Sequence, residues 1–262
     1  NTTGTQNTAV GSLALDANTT ADNNTAVGYG ALSDNTTGIN NISIGSGSLG
    51  VNTTGYQNVA IGKDSLASNT TANNNTAIGY NAMGANTTGT ANVAVGYAAL
   101  DANTTGYDNT TLGFAAGSDV TTGGGNTLVG KSAATNLTSA SHNTIIGAAG
   151  IAVNHTTGSR CTLIGYNVQP PNGADILMIG SGNKTHNGNF SNEGFMGPGT
   201  SGGGYGGMFQ GNNSSSWATT SDRRIKKNIV DNTVGLAEIL QLRVRNFEYR
   251  LQEEIEDELI AT

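Results

Sequence analysis

The sequence predicts an all-β fold: a parallel β-solenoid, or β-roll, of about ten 17-residue coils. Three observations lead there. An Asn-x-x-x-Gly core returns at Asn7–Gly11, Asn24–Gly28, Asn41–Gly45, Asn58–Gly62 and Asn75–Gly79, and continues from Asn92, Asn109, Asn126 and Asn143. One slot of that core is always β-branched or Leu. Turn-forming residues close each short apolar run, Gly at the end of the core and Asn-Thr-Thr-Gly or Asn-Thr-Thr-Ala further on. A fixed period of this size marks stacked units rather than a mixed globule.

Counting the core Asn as position 1, position 4 holds Val10, Val27, Ile44, Ile61, Ile78, Val95, Leu112, Val129, Ile146 and Ile164. Position 9 holds Leu15, Leu32, Leu49, Leu66, Met83 and Leu100 before it loosens to Gly117, Ala134 and Ile151. These spacings predict two short strands per coil, with the position 4 residues in a buried Val/Ile ladder and with Asn and Thr ladders at the corners. Ile78→Asp is then expected to collapse a coil. At about 4.8 Å per coil, ten coils make a rod of roughly 48 Å. The tenth copy, Cys161–Gly165, follows after 18 residues, which implies one residue inserted near Asn154, and Ile176–Gly180 is a degenerate eleventh. A strand with so few apolar side chains builds a thin roll. The small residues at position 3 (Ala9, Ala26, Ala60, Ala77 and Ala94) suit close packing on a second surface, so side-by-side association is expected, with three chains as the number.

Residues 181–220 are rich in Gly and Ser, with Phe190, Phe195, Phe209 and Trp217 interspersed. That spacing of aromatics predicts an ordered β connector rather than a flexible linker. Composition changes near Ser221. Residues 1–220 carry 4 Lys/Arg and 9 Asp/Glu, and residues 221–262 carry 7 and 9. The last segment reads as a small α+β piece, a short helix over 234–240 followed by a strand over 244–249. The chain therefore divides into 1–180, 181–220 and 221–262.

Composition narrows the function classes. A formal net charge of -7 argues against a nucleic-acid partner, whose phosphates call for Lys/Arg patches. The single cysteine, Cys161, excludes an internal disulfide framework and a cysteine-built zinc site. No run approaches the roughly 18 apolar residues of a membrane helix. The aspartates of Gly-Gly-x-Gly-x-Asp calcium rolls do not recur. Neither metal nor cofactor is expected. The chain opens inside a repeat at Asn1, so a preceding segment is expected, and no signal peptide is read.

Several surface features invite functional readings. Asn-Thr-Thr recurs at Asn1, Asn18, Asn35, Asn52, Asn69, Asn86 and Asn103, formally an N-glycosylation acceptor, but the period explains it as a corner ladder. Rows of Thr suggest ice binding. Adjacent Thr residues on a strand would point to opposite faces, which argues against it. Position 6 carries Tyr29, Tyr80, Tyr97, Phe114 and Tyr166, and position 16 carries Tyr56 and Tyr107. Of these, Tyr29, Tyr80, Tyr97 and Tyr107 are candidate contacts for a sugar face, against the alternative of packing between chains. Asp16, Asp34, Asp64 and Asp101 occupy loosely equivalent places, which is the only hint of the carboxylate pair a glycan-cleaving enzyme needs.

The array resembles the head repeats of trimeric autotransporter adhesins, which also run through an Asn-x-x-[Val/Ile]-Gly strand and an Ala-[Leu/Ala] step. Units there are shorter. The added Asn-Thr-Thr segment is more like the repeats of phage fibre proteins, and the resemblance spans residues 1 to about 180. The junction carries a second one. Trp217, then Ser221–Ile229 (SDRRIKKNI), then Gly-Leu-x-x-Ile-Leu-x-Leu from Gly235, resembles the opening of the endosialidase-type intramolecular chaperones that finish phage tail fibres and tailspikes. In that family the chain breaks before the Ser, and a Lys five residues on assists.

Those roles fall on Ser221 and Lys226, with the scissile bond after Thr220. Ser Oγ would attack the Thr220 carbonyl and form an ester that water opens. Lys226 acts as base once burial lowers its pKa. Asp222 and Arg223 match the motif as supporting residues. The resemblance fades after about residue 249, because the chain ends at Thr262 where the family domain runs on.

The resemblance implies a homotrimeric fibre or tailspike part on the virion. It is extracellular, binds a host glycan or protein receptor, and contacts neither nucleic acid nor membrane interior. A bacterial surface adhesin is the alternative, and a glycan depolymerase the third reading.

Overall fold

A computed structural model describes residues 1–148, 157–168, 170 and 174–181, together with strands at 193–198, 208–210 and 218–219. The helix and strand expected over 234–240 and 244–249 and the insertion near Asn154 lie outside the described residues. The fold is an all-β parallel solenoid with no helix among the described residues. Each coil contributes one three-residue strand: β1 (Thr8–Val10), β2 (Thr25–Val27), β3 (Ile42–Ile44), β4 (Val59–Ile61), β5 (Thr76–Ile78), β6 (Val93–Val95), β7 (Thr110–Leu112), β8 (Thr127–Val129) and β9 (Thr144–Ile146). Longer strands follow at β10 (Thr162–Tyr166), β11 (Ile176–Ser181) and β12 (Glu193–Pro198). All twelve pair in parallel with their sequence neighbours, like position on like position from Thr8↔Thr25 to Thr144↔Thr162. β13 (Met208–Gln210) and β14 (Ala218–Thr219) extend the same sheet in antiparallel sense within the Gly/Ser-rich segment.

The second strand expected in each coil is absent among the described residues. Positions 6 to 11 form tight turns instead, because the chain must reverse inside a loop of only 17 residues. Left-handed backbone recurs at the corners. Position 17 takes φ near 60° in every described coil, from Gln6 and Asn23 through Ala91 and Asp108 to His142 and Arg160. Gly at position 5 is required sterically. At Gly79, φ is +138° and a Cβ would overlap the Gly96 carbonyl oxygen of the next coil. Position 9 is less expected. Leu32, Leu49, Leu66, Met83 and Leu100 hold φ between 47° and 55°, at a conformational cost of about 1–2 kcal/mol each. All five are fully buried, and burial of a Leu or Met side chain, worth about 1.5–3 kcal/mol, offsets that cost.

The inward and outward faces of the strand are the reverse of the expectation. Position 3, not position 4, points into the coil: Ala26, Ser43, Ala60, Ala77, Ala94, Thr111, Leu128, Ile145 and Leu163 are all fully buried. Since a strand alternates faces, positions 2 and 4 must then point outward. Ala26, Ala60, Ala77 and Ala94 therefore line the interior of their own coils and form no contact surface for a second chain, and only Ala9, in the first coil, is exposed. A 17-residue coil is so narrow that its interior has room opposite the strand for a Leu from position 9 only if position 3 is small.

Two asparagine ladders complete the interior. At position 1, each side-chain carbonyl accepts the backbone N–H of the next Asn at 2.8–3.0 Å. Its Nδ2 donates across the coil to the position 15 carbonyl at 2.7–3.0 Å. At position 12, Nδ2 of Asn35, Asn52, Asn69, Asn86 and Asn103 donates to the Asn Oδ1 one coil earlier at 2.8–3.3 Å. Buried amides are tolerable where the coil stack itself meets their donors and acceptors, as it does for every ladder oxygen but Asn103 Oδ1.

Candidate functional site

The outward strand face is a strip of apolar side chains running the length of the solenoid. In the position 4 column Val10 is 58%, Ile78 36% and Leu112 50% exposed, and Ile44 and Ile146 are exposed as well. Val27, Ile61, Val95, Val129 and Ile164 are half-buried. Position 2 adds exposed Ile42 and Val93 between threonines. The partial cover comes from neighbours above and below, since each like residue shields the next at strand spacing. A continuous apolar strip of this length is unusual on a free surface. The feature that could have revealed it in sequence is the strand pattern Thr-Ala-Val or Ile-Ser-Ile, in which the two larger residues flank a small one. Size alternation places the small residue inside a narrow coil.

The aromatic columns behave differently from each other. Tyr80, Tyr97 and Phe114 stack in one column, with ring centroids 5.2 and 5.0 Å apart and planes within 13°. Lysines close both ends: Lys63 Nζ lies 5.3 Å from the Tyr80 ring and Lys131 Nζ 5.8 Å from the Phe114 ring. Lys63 is itself bonded to Asp64 at 2.7 Å, which raises its ammonium pKa. Stacking and cation–π contacts use up the ring faces of Tyr80 and Tyr97. What they present to solvent is ring edge and hydroxyl, not the flat face a sugar stacks on. Tyr29 stands outside this stack, with serines above and below it in the column, and is 61% exposed. Tyr107 lies in the other column, its ring against Gly124 of the next coil. The four candidate binding tyrosines are thus not gathered into one site.

The Asn-Thr-Thr corners are structural. Asn18, Asn35, Asn52, Asn69, Asn86 and Asn103 are fully buried in the ladder, so their amides are closed to a glycosylating enzyme in the folded chain. The two threonines do not point to opposite faces, as a strand would place them. Both sit on the outer side of a bend: Thr36 and Thr37 are exposed, and Thr104 and Thr105 are half-buried and exposed. From Thr36 to Thr121 the first Thr of each pair donates its hydroxyl to the corresponding carbonyl of the next coil at 3.0–3.4 Å. The result is a rigid corner rather than a flat threonine face.

The four candidate carboxylates lie on four different coils. Asp64 is bonded to Lys63. Asp101 has a raised pKa, pushed up by burial first and then by the like charge of Asp119 one coil on. Its Oδ1 is buried with no hydrogen-bond partner. A carboxyl whose folded pKa is raised destabilises the fold when ionised. Asp101 should therefore weaken the solenoid at neutral pH, and stability should return as pH falls through the raised value toward the ordinary one. Asp22 and Asp175 act oppositely, their pKa values lowered by Thr5 N–H and by Arg160 respectively. Denaturant titrations of wild type and Asp101→Asn across pH 3–7 isolate the effect. The variant should be the more stable at neutral pH, and the difference should shrink on acidification. A difference independent of pH would refute the assignment. No group of three His, Cys, Asp or Glu among the described residues could hold a metal ion.

Thr220, Ser221, Asp222, Arg223 and Lys226 lie outside the described residues. The class of protein is defined by the stack itself: this is a parallel β-solenoid repeat protein. Comparisons with family models, with curated proteins and with solved structures found no match.

Proposed function

We propose that this chain is the structural and host-recognition part of a phage tail fibre or tailspike, assembled side by side as a homotrimer and matured by self-cleavage before Ser221. The observation that carries the association is the unpartnered strip at positions 2 and 4. It is apolar, continuous and identical on every copy of the chain, so like chains laid in parallel present matching strips to one another. Three narrow rolls around one axis would bury all three strips and leave the corners, Tyr29 and the threonines outward, where a receptor could be met. The junction sequence from Trp217 to Leu242 supplies the link to a self-cleaving chaperone and hence to phage fibres.

Light scattering of the purified full chain tests the assembly. The expected particle has about three times the 26.5 kDa chain mass, less any released C-terminal piece. A folded particle at the single-chain mass would overturn the reading.

A further inference from the structure

The interior of the solenoid is filled in two different ways. From the first coil to the coil 92–108, a large side chain at position 9 (Leu15 through Leu100) faces a small residue at position 3, and Asn occupies position 12. From residue 126 onward the arrangement is inverted. Leu128 and Ile145 fill position 3, Ala134 sits at position 9, and Leu137 replaces the position 12 asparagine. Coil 109–125 is the transition, with Thr111, Gly117 and Val120 at these places. A Cβ on Gly117 would come within 2.8 Å of Leu128 Cδ1 and 3.4 Å of Leu100 Cδ1, so the two fillings meet at that glycine.

The position 12 ladder ends at the same step. Asn103 Nδ2 still donates to Asn86 Oδ1 at 2.8 Å, but the residue that should donate to Asn103 Oδ1 is Val120, which has nothing to offer. Among the described residues, the buried side-chain nitrogen and oxygen atoms left without a partner are two, Asn103 Oδ1 and Asp101 Oδ1. Both belong to the coil 92–108. Other bonds across the step remain: Asn109 N–H and Nδ2 both reach Asn92 Oδ1 at 3.0 Å, and Thr104 Oγ1 reaches the Thr121 carbonyl at 3.2 Å.

We propose that the rod consists of two cooperative blocks joined at the step between coils 92–108 and 109–125, and that this seam is where it opens first. In a stack whose units touch only their neighbours, stability is a sum of unit and junction contributions, so the weakest junction bounds any partial opening. Earlier steps carry the Asn–Asn bond. At the following step Val120 and Leu137 are both buried apolar residues and leave no stranded acceptor. The seam has neither, and it buries a carbonyl oxygen with no donor. This inference rests on the interior alone and does not depend on the proposed function.

Hydrogen exchange on the intact chain, read by mass spectrometry, tests it. Amides of the two blocks should exchange as two separate classes, with the boundary between Asn103 and Val120. Val120→Thr is the diagnostic change. It keeps the shape of Val and supplies a hydroxyl that can donate to Asn103 Oδ1, so exchange in coil 92–108 should slow by about tenfold. A hydroxyl placed in an ordinary apolar site has the opposite sign, as Val168→Thr at another buried position should show. Asp101→Ser, a residue already present at the same position in Ser33 and Ser118, removes the other stranded oxygen and should also slow exchange there. A single protection class along the wild-type rod, a boundary at another coil, or faster exchange in Val120→Thr would overturn the proposal.

Discussion

Replacing Ala77 with Asp should unfold the solenoid, while replacing its neighbour Ile78 with Asp should leave each chain folded and separate the chains from one another. Ala77 is fully enclosed in the coil opposite Met83, with alanines directly above and below it in the column. A carboxylate there has no donor, no counter-ion and no room, and costs several kcal/mol, roughly 3 or more, against a stability that is itself small. Because every coil rests on its neighbours, loss of one coil in the middle divides the stack. Ile78 points outward and is already partly in water, so the same carboxylate at that position can stay hydrated. Its effect on the single chain should be within about 1 kcal/mol. Three copies facing one another across a shared strip would instead bring three charges into an apolar interface, which is strongly unfavourable.

Circular dichroism and light scattering separate the two results. Ala77→Asp should lose its β signal. Ile78→Asp should keep it at a reduced particle mass. An Ile78→Asp particle that unfolds, or that keeps the full mass of the assembly, would contradict the assignment of the outward face.

If the proposed self-cleavage operates, Ser221→Ala should abolish a break between Thr220 and Ser221, with assembly left intact. The substitution removes only the attacking oxygen, so the expected effect is close to all-or-none. Lys226→Ala should also stop the break, since Ser Oγ then lacks a base. Lys227→Ala should matter less, since the resemblance places the base at Lys226. Mass spectrometry of the products locates the cut. An assembled wild-type chain that stays whole, or a Ser221→Ala chain still cut at this bond, would leave Ser221 as an ordinary residue of the junction.

How much was legible beforehand differs from column to column. The period, the parallel register and the asparagine ladders are direct consequences of repetition: identical residues 17 apart must meet when coils stack, and Asn meets Asn with complementary donor and acceptor. The aromatic run Tyr80, Tyr97, Phe114 was visible in the same way. Lys63 and Lys131 occupy the flanking slots of that column in the sequence as well. Asp16, Asp34, Asp64 and Asp101 occupy loosely equivalent places on separate coils, and the burial and the neighbouring Asp119 charge that raise the Asp101 pKa are properties of the folded stack.

By itself, the sequence determined that this protein stacks coils of 17 residues and which residues meet between coils, since translation along the axis repeats whatever a single coil contains. Only the tertiary structure decided which side of each strand is inside. A three-residue strand alternates faces whichever way it is turned, and hydrophobicity alone favours burying Val or Ile over Ala. The narrow interior decides otherwise. Once a long side chain from position 9, Met83 in this coil, has entered it, only a small residue fits opposite, so Ala77 lies inside and Ile78 outside.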